Sequence, residues 1–222
     1  MANAGAQSTQ KPTWAPSIED AKALANTCTG PRTCPIVCWD SAVQLLEPTA
    51  QGGVRRACYT EGESHGPIIS WHPNGRKEGV GYSKHGVPEG GYVAWHTNGK
   101  PAATGNWRAG KRDGWLTTWH SNGQMRSQGK WKDGVQQGMV RHWYDDGQLE
   151  EVSHWTDNGP EGPLFLWHPD GQPKTRGMYK AGLPHGVWKQ WYANGRREVF
   201  ARYQQGAARM ANLINAENGL EN

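Results

Sequence analysis

The chain has 222 residues, a formal net charge of +4 and only 35% hydrophobic residues. It is long enough for one large domain, holds no run of about 20 apolar residues that could cross a bilayer as a helix, and interleaves its Lys and Arg with Asp and Glu, unlike the one-sided basic surface of a nucleic-acid binder. Leu, Ile, Val and Phe are too scarce for an ordinary core, but 13 Trp and 7 Tyr replace them, each able to bury on the order of 150–250 Å².

Residues 1–16 read as a tail containing Pro12 and Pro16. Met1 to Gln10 lacks the basic-then-apolar pattern of a signal peptide. Ser17-Ile18-Glu19-Asp20 is a helix start, with Ser17 as cap and acids in the first turn, and a short helix is expected from Ile18 to Asn26. Four cysteines follow, Cys28, Cys34, Cys38 and Cys58. Their spacing does not match the CxxC pairs of a zinc knuckle. Two disulfides are expected, with three connectivities open and free core thiols as the alternative, and disulfides would place the protein outside the cytosol. A repeat array needs an atypical terminal cap, and residues 1–56 stand where that cap must be.

The rest is periodic. Trp71, Trp95, Trp119, Trp143, Trp167 and Trp191 are separated by 24 residues every time, without insertion. A fixed period of this size means a repeat array. Each Trp is followed by Asn-Gly or Asp-Gly: Asn74-Gly75, Asn98-Gly99, Asn122-Gly123, Asp146-Gly147, Asp170-Gly171 and Asn194-Gly195. Such a pair between apolar runs predicts a hairpin tip, here of type I′. Five residues before each Trp stands a Gly; ten after it, a small residue; fifteen after it, Gly or, once, Asn158, placing a second turn between hairpins. Twelve after it an aromatic recurs as Trp107, Trp131, Trp155, Tyr179 and Tyr203, with Tyr82 one place early in the first copy. Ile68, Tyr92, Leu116, Val140, Leu164 and Trp188 stand three before, on the opposite side of the strand from the Trp. Both sides then carry apolar surface, as suits a thin sheet. Ala57 to Gly62 already follows the second half of this pattern, with Glu47 where the Trp would be.

His72, His96, His120 and His168 follow four of the tryptophans. A metal ladder is the tempting reading, but equivalent residues two strands apart lie about 9–10 Å from each other, too far to share an ion held at about 2 Å. A structural role beside the tip is expected, and no metal or cofactor. No phosphate-binding loop, nucleophile elbow or paired-acid site is recognisable. The fourth copy is irregular and acidic, with Tyr144, Asp145, Asp146, Glu150, Glu151, Ser153 and Asp157. After Gly206, Ala207 to Ile214 favours a short helix closing the last strand.

The unit from Tyr179 to Gly206 resembles a MORN (membrane occupation and recognition nexus) repeat in its bacterial variant form, and the resemblance covers roughly residues 57–206. It implies a twisted antiparallel meander of hairpins, and binding or scaffold modules, many of the bacterial ones labelled antitoxins. The expectation is therefore an all-β, single-layer antiparallel solenoid: a cap in 1–56, six and a half hairpin repeats in 57–206, and a C-terminal helix in 207–222. The expected function is a non-enzymatic scaffold for a protein partner at the bacterial cell envelope, using the repeat aromatics and tips. The alternatives are an antitoxin or immunity protein in a reducing cytoplasm, and a module for membrane lipid or glycan. Neither nucleic acid nor a small-molecule substrate is expected.

Overall fold

A computed structural model describes residues 16–28, 30–31, 34, 36–38, 42–204 and 206–209. The chain enters through helix α1 (Ile18–Thr27). Ser17 caps it: the Asp20 N–H donates to Ser17 Oγ at 3.2 Å, and the Ser17 N–H donates back to Asp20 Oδ2 at 2.7 Å. This reciprocal box satisfies two of the orphan donors of the first turn, and it depresses the Asp20 pKa, chiefly through the Ser17 side-chain bond.

The sheet follows in chain order: β1 (Val43–Pro48), β2 (Val54–Thr60), β3 (Glu63–Trp71), β4 (Lys77–Lys84), β5 (Val87–Pro88), β6 (Gly90–Trp95), β7 (Pro101–Arg108), β8 (Lys111–Arg112), β9 (Gly114–Trp119) and β10 (Met125–Lys132). It continues through β11 (Val135–Trp143), β12 (Leu149–Thr156), β13 (Gly159–Pro160), β14 (Gly162–Trp167), β15 (Pro173–Lys180), β16 (Leu183–Trp191), β17 (Arg197–Gln204) and β18 (Ala207–Arg209). Every pairing is antiparallel, and each strand pairs with the next along the chain or, past the two-residue strands β5, β8 and β13, with the next but one (β4–β6, β7–β9 and β12–β14), as a meander requires. The half repeat is completed by β1, which pairs with β2 from Val43↔Tyr59 to Pro48↔Val54. Thr49 N–H donates to Gly53 O as His72 N–H does to Arg76 O, so Pro48, not the expected Glu47, holds the tryptophan's place; Glu47 accepts from Arg55 Nη2 at 2.6 Å and from the Tyr59 hydroxyl at 2.7 Å. The Arg55 bond, then the Tyr59 bond, holds the Glu47 pKa low.

The tips are not the type I′ turns expected of them. At the Asn-Gly tips His72 N–H donates to Arg76 O and Gly75 N–H to His72 O, enclosing a three-residue loop. Only Gly75 has positive φ (+78°); Asn74 does not. This is the three-residue hairpin with a left-handed glycine, not type I′. Asn74 instead accepts the Arg76 N–H on its side-chain oxygen at 3.1 Å, and the other five tips do the same. The two-residue turns with both φ positive lie between hairpins, as at His85-Gly86 (+46°, +76°), where Lys84 pairs with Val87. Asn158, which replaces the second-turn Gly in the fourth copy, does not take its positive φ; Gly159, one residue later, does (+101°). Of the expected C-terminal helix, Ala207–Arg209 pair with β17 as a strand, and residues 210–222 lie outside the described residues.

Among the described residues the sheet has a second layer only at its N-terminal end. There Ala21, Ala25, Cys28, Cys34, Ile36 and Cys58 bury Ile69, Trp71, Val80 and Val93 on one face. Disulfides Cys28–Cys34 and Cys38–Cys58 hold this cap, the second tying it to β2. Closing a loop of 20 residues is worth about 3 kcal/mol of unfolded-state entropy. The double variant Cys38→Ala/Cys58→Ala is expected to lose about that much in urea unfolding; a midpoint unchanged at constant slope would show that the cap is held by packing alone.

Candidate binding surface

The register separates two faces. Ile69, Val80, Val93, Thr104, Thr117, Gln128, Arg141, Val152, Phe165, Arg176 and Lys189 are successive pairing partners across the sheet and share one side. The repeat tryptophans lie two residues along on the same side, so this is the tryptophan face. The other side carries the small residues ten after each Trp, paired with the apolar residue three before the same Trp: Ile68↔Gly81, Tyr92↔Gly105, Leu116↔Gly129, Val140↔Ser153, Leu164↔Gly177 and Trp188↔Ala201.

That second, glycine face is packed by its own side chains. The Trp188 ring occupies the space a Cβ at Gly177 would need, and the Tyr92 ring does so at Gly105. The aromatics twelve after each Trp join them: Tyr92–Trp107 centroids are 6.0 Å apart, Tyr179–Trp188 5.1 Å and Trp188–Tyr203 5.9 Å. Arg112 lies between Trp107 (5.8 Å) and Trp131 (5.0 Å), a cation–π pairing on each side. In the fourth copy the irregular residues form a network: buried Ser153 donates to Glu151 Oε1 at 2.7 Å and accepts from Trp155 Nε1 at 3.0 Å. Burial raises the Tyr92 pKa on this face. Tyr82, packed against the cap on the tryptophan face, is pushed up to about 12, by burial first and by Asp20 second.

The histidine ladder is spent on the repeat. Nε2 of His72, His96, His120 and His168 lies 2.8–2.9 Å from the backbone oxygen of the next copy's Trp. A carbonyl only accepts, so Nε2 carries the proton. Tyr144 makes the same bond through its hydroxyl at 2.7 Å, which explains why Tyr replaces His there. The tip amides repeat the device: Asn74 Nδ2 donates to Thr97 O at 2.8 Å and Asn98 Nδ2 to Ser121 O at 2.6 Å. Asp146 and Asp170 carry no amide to donate.

The tryptophan face differs along its length. Trp71 is fully buried beneath the cap, whereas Trp119, Trp143, Trp167 and Trp191 are only partly covered. Four residues before each Trp, on this same face, stand Pro67, Gly91, Trp115, Met139, Pro163 and Val187. Trp115 is 52% exposed, and Met139 and Met178 are nearly as open. An open depression of about 680 Å³ lies at Pro163, Phe165, Arg176, Met178, Val187 and Lys189. Arg176 stands over the Trp191 ring at 6.0 Å. Gly91 is the residue the periodic reading missed: α1 begins directly on it, and its N–H donates to Pro16 O.

Residues 184–198, the sixth tip with parts of both its strands, match the family model of the MORN repeat variant. No curated protein matches the chain.

Proposed function

We propose that this chain is a non-enzymatic repeat scaffold that binds a protein partner through the uncovered part of its tryptophan face, from β9 to β16. The observation that carries this reading is the contrast along one face. Where α1 lies, Ile69, Trp71, Val80 and Val93 are buried, and so are Pro67 and Gly91; beyond it Trp115, Met139 and Met178, in the row of Pro67 and Gly91, stand half exposed. Contiguous exposed apolar surface rimmed by polar groups marks an interaction site, and Trp, Met and Arg are enriched at such sites. The MORN repeat match supports a repeat scaffold for protein or membrane binding. Two disulfides support an oxidising compartment such as the cell envelope. The division into a cap (1–56), a repeat array (57–206) and a C-terminal segment (207–222) belongs to this proposal.

A second reading, an anionic membrane surface, is favoured by one observation. Arg141, Arg176 and Lys189 share a register row on this face, and no ion pair holds them among the described residues. The two readings separate in one experiment on the oxidised full chain. The triple variant Trp115→Ala/Met139→Ala/Met178→Ala is expected to lose at least tenfold in partner recovery from envelope extract, about 1.4 kcal/mol, with an unchanged circular dichroism spectrum. Unchanged recovery sinks the protein reading. Binding to anionic vesicles that disappears in Arg176→Glu, with no protein captured, selects the membrane.

A further inference from the structure

A meander leaves two open ends, and in this sheet they are unequal. The two-residue strands β5, β8 and β13 run on into β6, β9 and β14 against the same partners, and each longer interior strand is paired on both sides, so β1 and β18 are the edges among the described residues. β18 has three residues, while β1 has six in unbroken register with β2. Natural proteins blunt such an edge with lysines, bulges or an early proline. β1, Val-Gln-Leu-Leu-Glu-Pro, has no lysine and no bulge, and its proline comes last. Leu45 is 45% and Leu46 46% exposed, and Val43 is more open still.

The direction of each main-chain group follows from the tip. Thr49 N–H donates to Gly53 O at 2.9 Å, so Thr49 points towards β2. Main-chain groups alternate along an antiparallel strand, and without a register shift Glu47, Leu45 and Val43 also point to β2. Gln44 and Leu46 therefore point outward, as does the nitrogen of Pro48, where a missing N–H costs the β1–β2 ladder nothing.

We propose that β1 pairs antiparallel with β1 of a second copy of this chain, about a two-fold axis through Leu45. The occupant follows from the strand itself. With Leu45 opposite Leu45 of the other copy, Gln44 and Leu46 stand opposite each other twice. These are the residues with outward main-chain groups, so each such pair exchanges two hydrogen bonds. The two Leu45 side chains meet at a non-hydrogen-bonded position, where side chains approach most closely. Val43 lies against Glu47 of the other copy, and that carboxylate is already held by Arg55 and Tyr59, so self-pairing brings no free like charges together. A closed two-fold uses one patch twice and ends there. Paired residues share a face, so both tryptophan faces lie on one side of a continuous sheet. The dimer is a bivalent scaffold, and bivalence raises avidity without any new contact.

The test is sedimentation velocity of the oxidised full chain over a micromolar concentration series, beside Leu46→Pro and Leu45→Lys. Leu46→Pro removes an outward N–H and leaves the β1–β2 ladder intact; Leu45→Lys sets two ammonium groups face to face. The wild type is expected to reach twice its 24.6 kDa mass, and both variants to remain monomeric with unchanged circular dichroism. A wild type that stays monomeric throughout, an open-ended polymer, or a dimer that persists in both variants overturns the proposal.

Discussion

Trp71→Ala is expected to lower the unfolding free energy by about 3–5 kcal/mol, the cost of deleting a fully buried large aromatic. The same change at Trp167 is expected to cost roughly 1 kcal/mol. The two residues hold the same place in their repeats, 96 positions apart, so sequence alone assigns them equal weight. Their surroundings differ. Trp71 is 0% exposed, enclosed with Ile69 and the cap residues. Trp167 is partly exposed and leans on Phe165 at 6.0 Å between centroids. Trp71 also carries a cost: its Nε1–H has no hydrogen-bond partner among the described residues, a desolvation penalty of about 1–3 kcal/mol. Packing of the ring outweighs that penalty, since the residue remains buried. Far-UV circular dichroism in urea checks the pair, because 13 tryptophans make fluorescence uninformative about any one of them. Equal losses at both positions would mean that the cap adds nothing to the first repeats, and that stability is spread evenly along the array.

What could be read in advance followed the period. An unbroken 24-residue interval fixes hairpin pairing, because a one-residue slip would move every side chain to the wrong face. It also fixes which rows share a face, as with Ile68 and Trp71 on opposite sides. The helix start at Ser17 was legible because a capping box is a local signal. The choice of turn was not. Asn-Gly favours both the two-residue and the three-residue hairpin, and closure by His72 N–H to Arg76 O decides between them. The histidine row was legible as structural through distance, but its acceptor was not, since backbone oxygens are the same in every sequence. Least legible was the break in equivalence along the tryptophan face. It arises from a long-range contact of α1, and Gly91, the residue that permits it, sits beside Gly90 and looks like part of a turn.

Gly91→Ala is expected to cost about 2–3 kcal/mol and to strip hydrogen-exchange protection from α1 while sparing β9 to β16. A Cβ at position 91 would fall inside the contact radii of Ile18 N and of Ser17 C and O. All three are main-chain atoms at the start of α1, so no rotamer change can relieve the clash. The helix must lift, and the bond from Gly91 N–H to Pro16 O opens with it. Its other end is anchored by Lys77 Nζ, which donates to Ala25 O, and by the disulfide at Cys28, so lifting begins at the N-terminal turn. The equivalent places in other copies hold Pro67, Trp115, Met139, Pro163 and Val187, and none of these would admit a helix backbone so closely. This makes Gly91 the residue that confines the cap to the first repeats and leaves the later ones open. Gly79→Ala is the control. Its Cβ would meet Ser70 Oγ at 3.5 Å and Val93 O at 3.6 Å, ordinary contacts, and a strand interior gains roughly 0.5 kcal/mol from Ala over Gly. If Gly91→Ala unfolds like Gly79→Ala and α1 keeps its slow-exchanging amides, close approach at Gly91 does not decide where the helix sits.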